Sequence, residues 1–187
     1  FLSFFIVPMA IGMMLVIKPL VFIIPKYIKW EPALFSFYLF VISSGIAGIS
    51  TPLINALNAI GKIKITLKFM VIWTMLTWTA TPLLVALFNY NGVAVASVLI
   101  GATIVAVVRS CRRYVQFSLA DNIFPAVASS FAMIIAVVIL QRILINSIGM
   151  IVVQLSVAAV VYVCTFLLFF KDKLLGEVRE IMDIIRT

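Results

Sequence analysis

The sequence has 187 residues, 65% of them hydrophobic and 11% charged, with a mean hydropathy of +1.30, whereas soluble domains are about 45–50% apolar and about 25% charged. A water-soluble domain is excluded, and so is disorder, because disordered chains lack the apolar content to form a core. The formal charge of +8, from 14 Lys and Arg against 6 Asp and Glu, reads in such a chain as the cytoplasmic Lys/Arg bias of a membrane protein rather than as nucleic-acid binding.

A β-barrel would alternate apolar and polar residues in segments of about ten, whereas this sequence carries unbroken apolar runs of helical spanning length. The expected fold is therefore all-α, a polytopic transmembrane helical bundle of about six spans. There is no His, and the two cysteines, Cys111 and Cys164, leave no metal or haem ligand set, no cofactor site and no disulfide framework.

Charges punctuate the spans. The first, Phe1 to Ile17, is uncharged up to Lys18-Pro19 and lacks the basic start and cleavage site of a signal peptide. It does not open on Met, as expected for a fragment of a longer chain. Leu20 to Ile24 is too short to cross again and reads as an interfacial elbow leading to Pro25, Lys26, Lys29, Trp30 and Glu31. Glu31 and Lys62 enclose 30 uncharged residues, enough for a tilted second span from about Ala33 to Ile60 at about 1.5 Å per residue.

Lys68 and Arg109 enclose 40 uncharged residues. The turn signal Asn89-Tyr90-Asn91-Gly92 divides them into spans three, Phe69 to Phe88, and four, Val93 to Val108. Span five lies between Asp121 and Arg142. Span six lies between Arg142 and Lys171 and opens on the turn-like Asn146-Ser147-Ile148-Gly149. Residues 1–170 are thus one six-span lobe. Residues 171–187 form an amphipathic tail helix with Leu174, Val178, Ile181 and Ile185 on one face.

Lys and Arg counted by alternate sides give 10 for the side holding Lys62, Lys64, Lys68, Arg109, Arg112, Arg113 and the tail, against 4 for Lys18, Lys26, Lys29 and Arg142. This places the tail in the cytoplasm. Cys111 then falls at the cytoplasmic surface and Cys164 in the inner half of span six.

Polar residues fall in helical rows. Ser44, Gly48, Thr51, Asn55, Asn58 and Lys62 follow steps of three and four in span two, and Thr74, Thr77, Trp78 and Thr81 do so in span three, followed by Pro82. Such rows line a hydrated path or hydrogen-bond between packed helices. Ala94, Ser97 and Gly101 suit close backbone packing, as does the weaker row Gln154, Ala158, Tyr162 and Thr165. Pro8 and Pro125 read as bends. Arg109, Arg112 and Arg113, like Lys62, Lys64 and Lys68, serve either as topology anchors on anionic headgroups or as capture groups for a phosphate-bearing lipid. No carboxylate lies within a span, and no nucleotide-binding motif occurs, so an enzyme is not expected.

The run Thr51-Pro52-Leu53-Ile54-Asn55-Ala56-Leu57-Asn58-Ala59-Ile60-Gly61-Lys62-Ile63-Lys64, a following helix, and Asn91-Gly92-Val93-Ala94-Val95-Ala96-Ser97 together resemble the carboxyl-terminal half of polysaccharide flippases of the multidrug/oligosaccharidyl-lipid/polysaccharide exporter superfamily. The resemblance covers Phe1 to about Arg113. It implies one lobe of a two-lobe, MATE-like transporter of the cytoplasmic (inner) membrane, moving undecaprenyl-diphosphate-linked oligosaccharide, such as an O-antigen unit, between leaflets alongside other polysaccharide-assembly proteins. Lys62, Lys64, Lys68, Arg112 and Arg113 would attract the diphosphate. Asn55, Asn58, Thr74, Thr77, Trp78 and Thr81 would line the path. The rival readings are a drug/cation antiporter of the same superfamily, a polysaccharide polymerase, and a non-transporting membrane subunit of polysaccharide assembly.

Overall fold

The computed structural model describes residues 2–115, 117–143 and 147–186. Among them the chain is helical throughout, with no strand: α1 (Leu2–Ile23), a 3-10 segment (Pro25–Ala33), α2 (Leu34–Ala59), α3 (Ile63–Phe88), α4 (Asn91–Gly101), α5 (Ile104–Cys111), α6 (Leu119–Ile143) and α7 (Ile148–Arg186). Six stretches are long and apolar enough to cross a membrane: Leu2–Ile23, Pro25–Ala59, Ile63–Phe88, Asn91–Cys111, Leu119–Arg142 and Gly149–Lys171. The chain is a multi-pass membrane protein. Asn146, in the turn expected between the last two spans, and the side chains of Leu174, Val178, Ile181 and Ile185 lie outside the described residues.

Three boundaries differ from the sequence expectation. α1 does not stop at Lys18-Pro19 but runs on to Ile23, with both Pro8 and Pro19 inside it. α3 starts at Ile63 rather than Phe69, so Lys64 and Lys68 occupy its first turns instead of a loop. Gly61 is the reason: its φ of +74°, open to glycine without a Cβ penalty, reverses the chain within three residues, and lysine is a good helix former. The fourth span is two helices. Between them Thr103 N–H bonds to Ile100 O at 3.1 Å and Val105 N–H to Ala102 O at 3.4 Å, a turn of 3-10 type. Thr103 Oγ1 donates to Ile100 O at 2.7 Å while accepting Trp73 Nε1–H at 2.8 Å, which ties the break to α3.

The chain divides into two compact units, Phe1–Tyr27 with Ser118–Thr187, and Ile28–Phe117. In the first, α1, α6 and α7 pack on one another around Met133, Val137, Ala158, Tyr162 and Phe166, with Phe4, Ile11 and Leu15 of α1 against them. The inner faces follow helical spacing, Ala126, Ser130, Met133 and Val137 on α6 and Ile151, Gln154, Ala158, Tyr162 and Phe166 on α7, all buried. Ser118 caps α6: its Oγ accepts the Asp121 N–H at 3.3 Å, the first half of a capping box in Ser118-Leu119-Ala120-Asp121. At Phe170 the backbone leaves helical geometry (φ −131°, ψ 19°), where the sequence turns from apolar to charged.

In the second unit, α2 packs on α3, α4 and α5, and α3 on α4. Ile54, Leu57, Phe69, Val107 and Cys111 form its core. Cys111 is therefore not at the surface: it is 1% exposed, because the short α5 turns it inward against Leu53 O at 3.9 Å. Small residues set the spacing between α2 and α4. Ser43 Oγ donates to Ser97 O at 3.1 Å, and a Cβ on Gly101 would touch Ile46 at 3.5 Å. The turn between α3 and α4 is tighter still, since a Cβ on Gly92 would overlap the Leu84 backbone carbonyl.

Candidate functional site

On α2 the helical phase of the polar row is about 110° from that of the buried row. Ser50, Ile54 and Leu57 face the unit core, while Ser44, Thr51, Asn55, Asn58 and Lys62 are exposed and Gly48 is half-buried. Thr51 Oγ1 donates to Ala47 O at 2.8 Å in its own helix, which removes its need for another partner. Asn55 and Asn58 have no such solution. An amide carries two donors and an acceptor, and among the described residues neither side chain makes a hydrogen bond.

The threonines of α3 behave like Thr51. Thr74 Oγ1 donates to Met70 O at 2.9 Å and Thr77 Oγ1 to Trp73 O at 2.8 Å, and both are exposed. Thr81 is half-buried, and Trp78 is 77% exposed. The row is present on one face of α3, yet the hydroxyl protons of Thr74 and Thr77 are already used, as suits a helix wall in lipid. The tryptophan that joins two helices is Trp73, not Trp78.

The cations converge. Gly61 brings Lys62 back toward the end of α5, where its Nζ sits 4.7 Å from the centre of the Tyr114 ring. Arg112, two residues before Tyr114, lies 6.0 Å over Phe117. Lys62, Lys64, Lys68, Arg109, Arg112 and Arg113 are all exposed. The single acid of this unit, Glu31, precedes α2, whose 26 residues separate it from Lys62 by about 39 Å. No carboxylate of this unit therefore lies at this end, and the stacked aromatic faces hold two of the cations without neutralising them.

Sequence reasoning missed the polar groups that join helices. Ser36 Oγ donates to Asn91 Oδ1 at 2.6 Å, fixing the start of α2 to the α3–α4 turn, and Tyr90 Oη reaches Pro32 O at 3.3 Å. It also missed Ser129 and Ser130, both 0% exposed; with Gln154, 1% exposed, these side chains have oxygens that find no hydrogen-bond partner among the described residues. The packing role expected for the Gln154 row agrees with its burial. A shallow recess of about 370 Å³ is lined by Ala120, Asp121, Phe124, Pro125 and Phe170 and contains none of the expected site residues. No metal-ligand cluster is found among the described residues. Comparison with family models, curated proteins and solved structures gives no match.

Proposed function

We propose that this chain is part of a transporter that carries an anionic, lipid-linked oligosaccharide across the cytoplasmic membrane. Asn55 and Asn58 line its path, and Lys62, Lys64, Lys68, Arg112 and Arg113 gather the diphosphate at a cytoplasmic mouth. One observation carries this reading: among the described residues two unpaired amides stand exposed on α2, in a row that leads to a group of exposed cations. In hydrocarbon each unsatisfied polar group costs several kcal/mol, so Asn55 and Asn58 require water, protein or a polar ligand beside them. Sugar hydroxyls, each both donor and acceptor, can meet the N–H and C=O groups of these amides. Trp78 offers an exposed ring face, and Thr74, Thr77 and Thr81 complete the wall as acceptors.

The inside-negative potential favours outward movement of an anion by about 2.3 kcal/mol per charge per 100 mV. This supplies a driving force without a nucleotide. The resemblance of the Thr51–Lys64 run to the polysaccharide exporters supports the same substrate class. The test is export complementation beside melting temperature for Asn55→Ala and Asn58→Ala in the full-length protein. The expected result is a several-fold loss of export per molecule with an unchanged melting temperature. Unchanged export with lowered stability would assign the row to helix packing and the chain to a structural role in the membrane.

A further inference from the structure

α1 contains two prolines where a continuous helix tolerates them least. A proline has no N–H, so the carbonyl four residues before it loses its helical partner. For Pro8 that carbonyl is Phe4 O, and for Pro19 it is Leu15 O. Both receive a donor from another helix. Tyr162 Oη, from α7, donates to Phe4 O at 2.8 Å, and Gln141 Nε2, from α6, donates to Leu15 O at 3.2 Å.

Phe4 and Leu15 are 11 residues apart, close to three helical turns, so the two freed carbonyls stand on one face of α1. Each is met from a different neighbour. Pro52 in α2 and Pro82 in α3 lack this arrangement: the carbonyls they free belong to Gly48 and Trp78, and among the described residues no side chain donates to either. Tyr162 is itself buried, with its ring 5.3 Å from Phe4 and packed on Phe166. The hydroxyl is therefore delivered by a fixed side chain and not by a mobile one.

We propose that α1 is a two-jointed helix held closed by a pair of latches, Tyr162 on the Pro8 joint and Gln141 on the Pro19 joint, and that release of a latch lets α1 bend at its own proline. The joints exist because the prolines remove helical hydrogen bonds, and they stay shut because α6 and α7 supply replacements. The segment before Pro8 is a lever of about 9 Å, so a bend of about 30° carries Leu2 by about 5 Å.

The experiment uses the full chain in nanodiscs with Cys111 and Cys164 replaced by Ala. Spin labels are placed at Leu2 and Leu168, both exposed, and read by pulsed dipolar spectroscopy. The parent gives one narrow distance. Tyr162→Phe, which keeps the ring and removes only the donor, shifts and broadens it by several Å. Pro8→Ala in the Tyr162→Phe background restores the helical N–H and returns the narrow distance, whereas Pro19→Ala does not. For the second latch, Gln141→Leu lowers the melting temperature, and that loss is rescued by Pro19→Ala but not by Pro8→Ala. An unchanged distance in Tyr162→Phe, or rescue by either proline substitution without distinction, overturns the proposal. A purely structural role for the two side chains predicts no such pairing.

Discussion

In the unit built from α1, α6 and α7 the polar side chains of Gln154, Ser129, Ser130 and Tyr162 are buried while Ser156 is exposed, whereas in the Ile28–Phe117 unit Ser36, Ser50 and Thr66 are buried and a row of Asn55, Asn58, Thr74 and Thr77 is exposed. The inward groups hold helices together, as Tyr162 does at Phe4, or stand unpaired in the core, as Gln154 does. Among the outward groups, Thr74 and Thr77 are satisfied by their own helix, and the asparagines are not. Polar residues in membrane helices are therefore not one class. Burial and pairing vary separately: Gln154 is buried and unpaired, Thr74 exposed and paired, Asn55 exposed and unpaired among the described residues.

The contrast rests on the second unit being a tightly spaced scaffold that leaves its polar row outside, and Gly92→Ala tests this hardest. The added Cβ would overlap the Leu84 backbone carbonyl, so the α3–α4 turn must open, at a cost of about 1–3 kcal/mol. The expected result is a large fall in melting temperature and in yield from membranes. An unchanged melting temperature would show that the turn has room to relax and that the unit is looser than its glycine implies.

Gln154→Leu sharpens the opposite side. Its Oε1 is buried without a partner, and an unsatisfied buried group costs about 1–3 kcal/mol, so the apolar isostere should stabilise the protein by about 1 kcal/mol. Destabilisation of that size would mean the amide has a partner in the membrane, such as a bound water. The smallest effect separates the two tryptophans of α3. Trp73→Phe loses the bond to Thr103 and should cost about 0.6 kcal/mol, while Trp78→Phe should leave the melting temperature unchanged. Equal effects would erase the distinction between a helix-joining and an outward-facing ring.

Much of this architecture is legible because charges are scarce and each one marks an end. Span two was expected from about Ala33 to Ile60 and is observed at Leu34–Ala59. Where charge and helix propensity disagree, the rule fails: Lys64 and Lys68 were assigned to a loop although nothing in their chemistry stops a helix, and only Gly61 decides where the turn lies. The break at Ala102-Thr103 was invisible because its cause, Trp73, lies 30 residues earlier in sequence. The latches were half legible, since Pro8 and Pro19 announce which carbonyls are freed. Their donors, 158 and 126 residues away, follow only from the packing of α6 and α7. The rows on α2 and α3 were plain from spacing, but their side was not: helical phase groups residues without saying which way a group faces.

The two thiols give the molecule an internal clock. Cys164 is exposed on α7 and Cys111 is shut inside the core of the Ile28–Phe117 unit, so a membrane-permeant alkylating reagent is expected to add a first mass increment at Cys164 and a second only when that core opens. The delay between the two adducts times the breathing of the unit that carries the asparagines and the cations, with no label introduced and no residue changed.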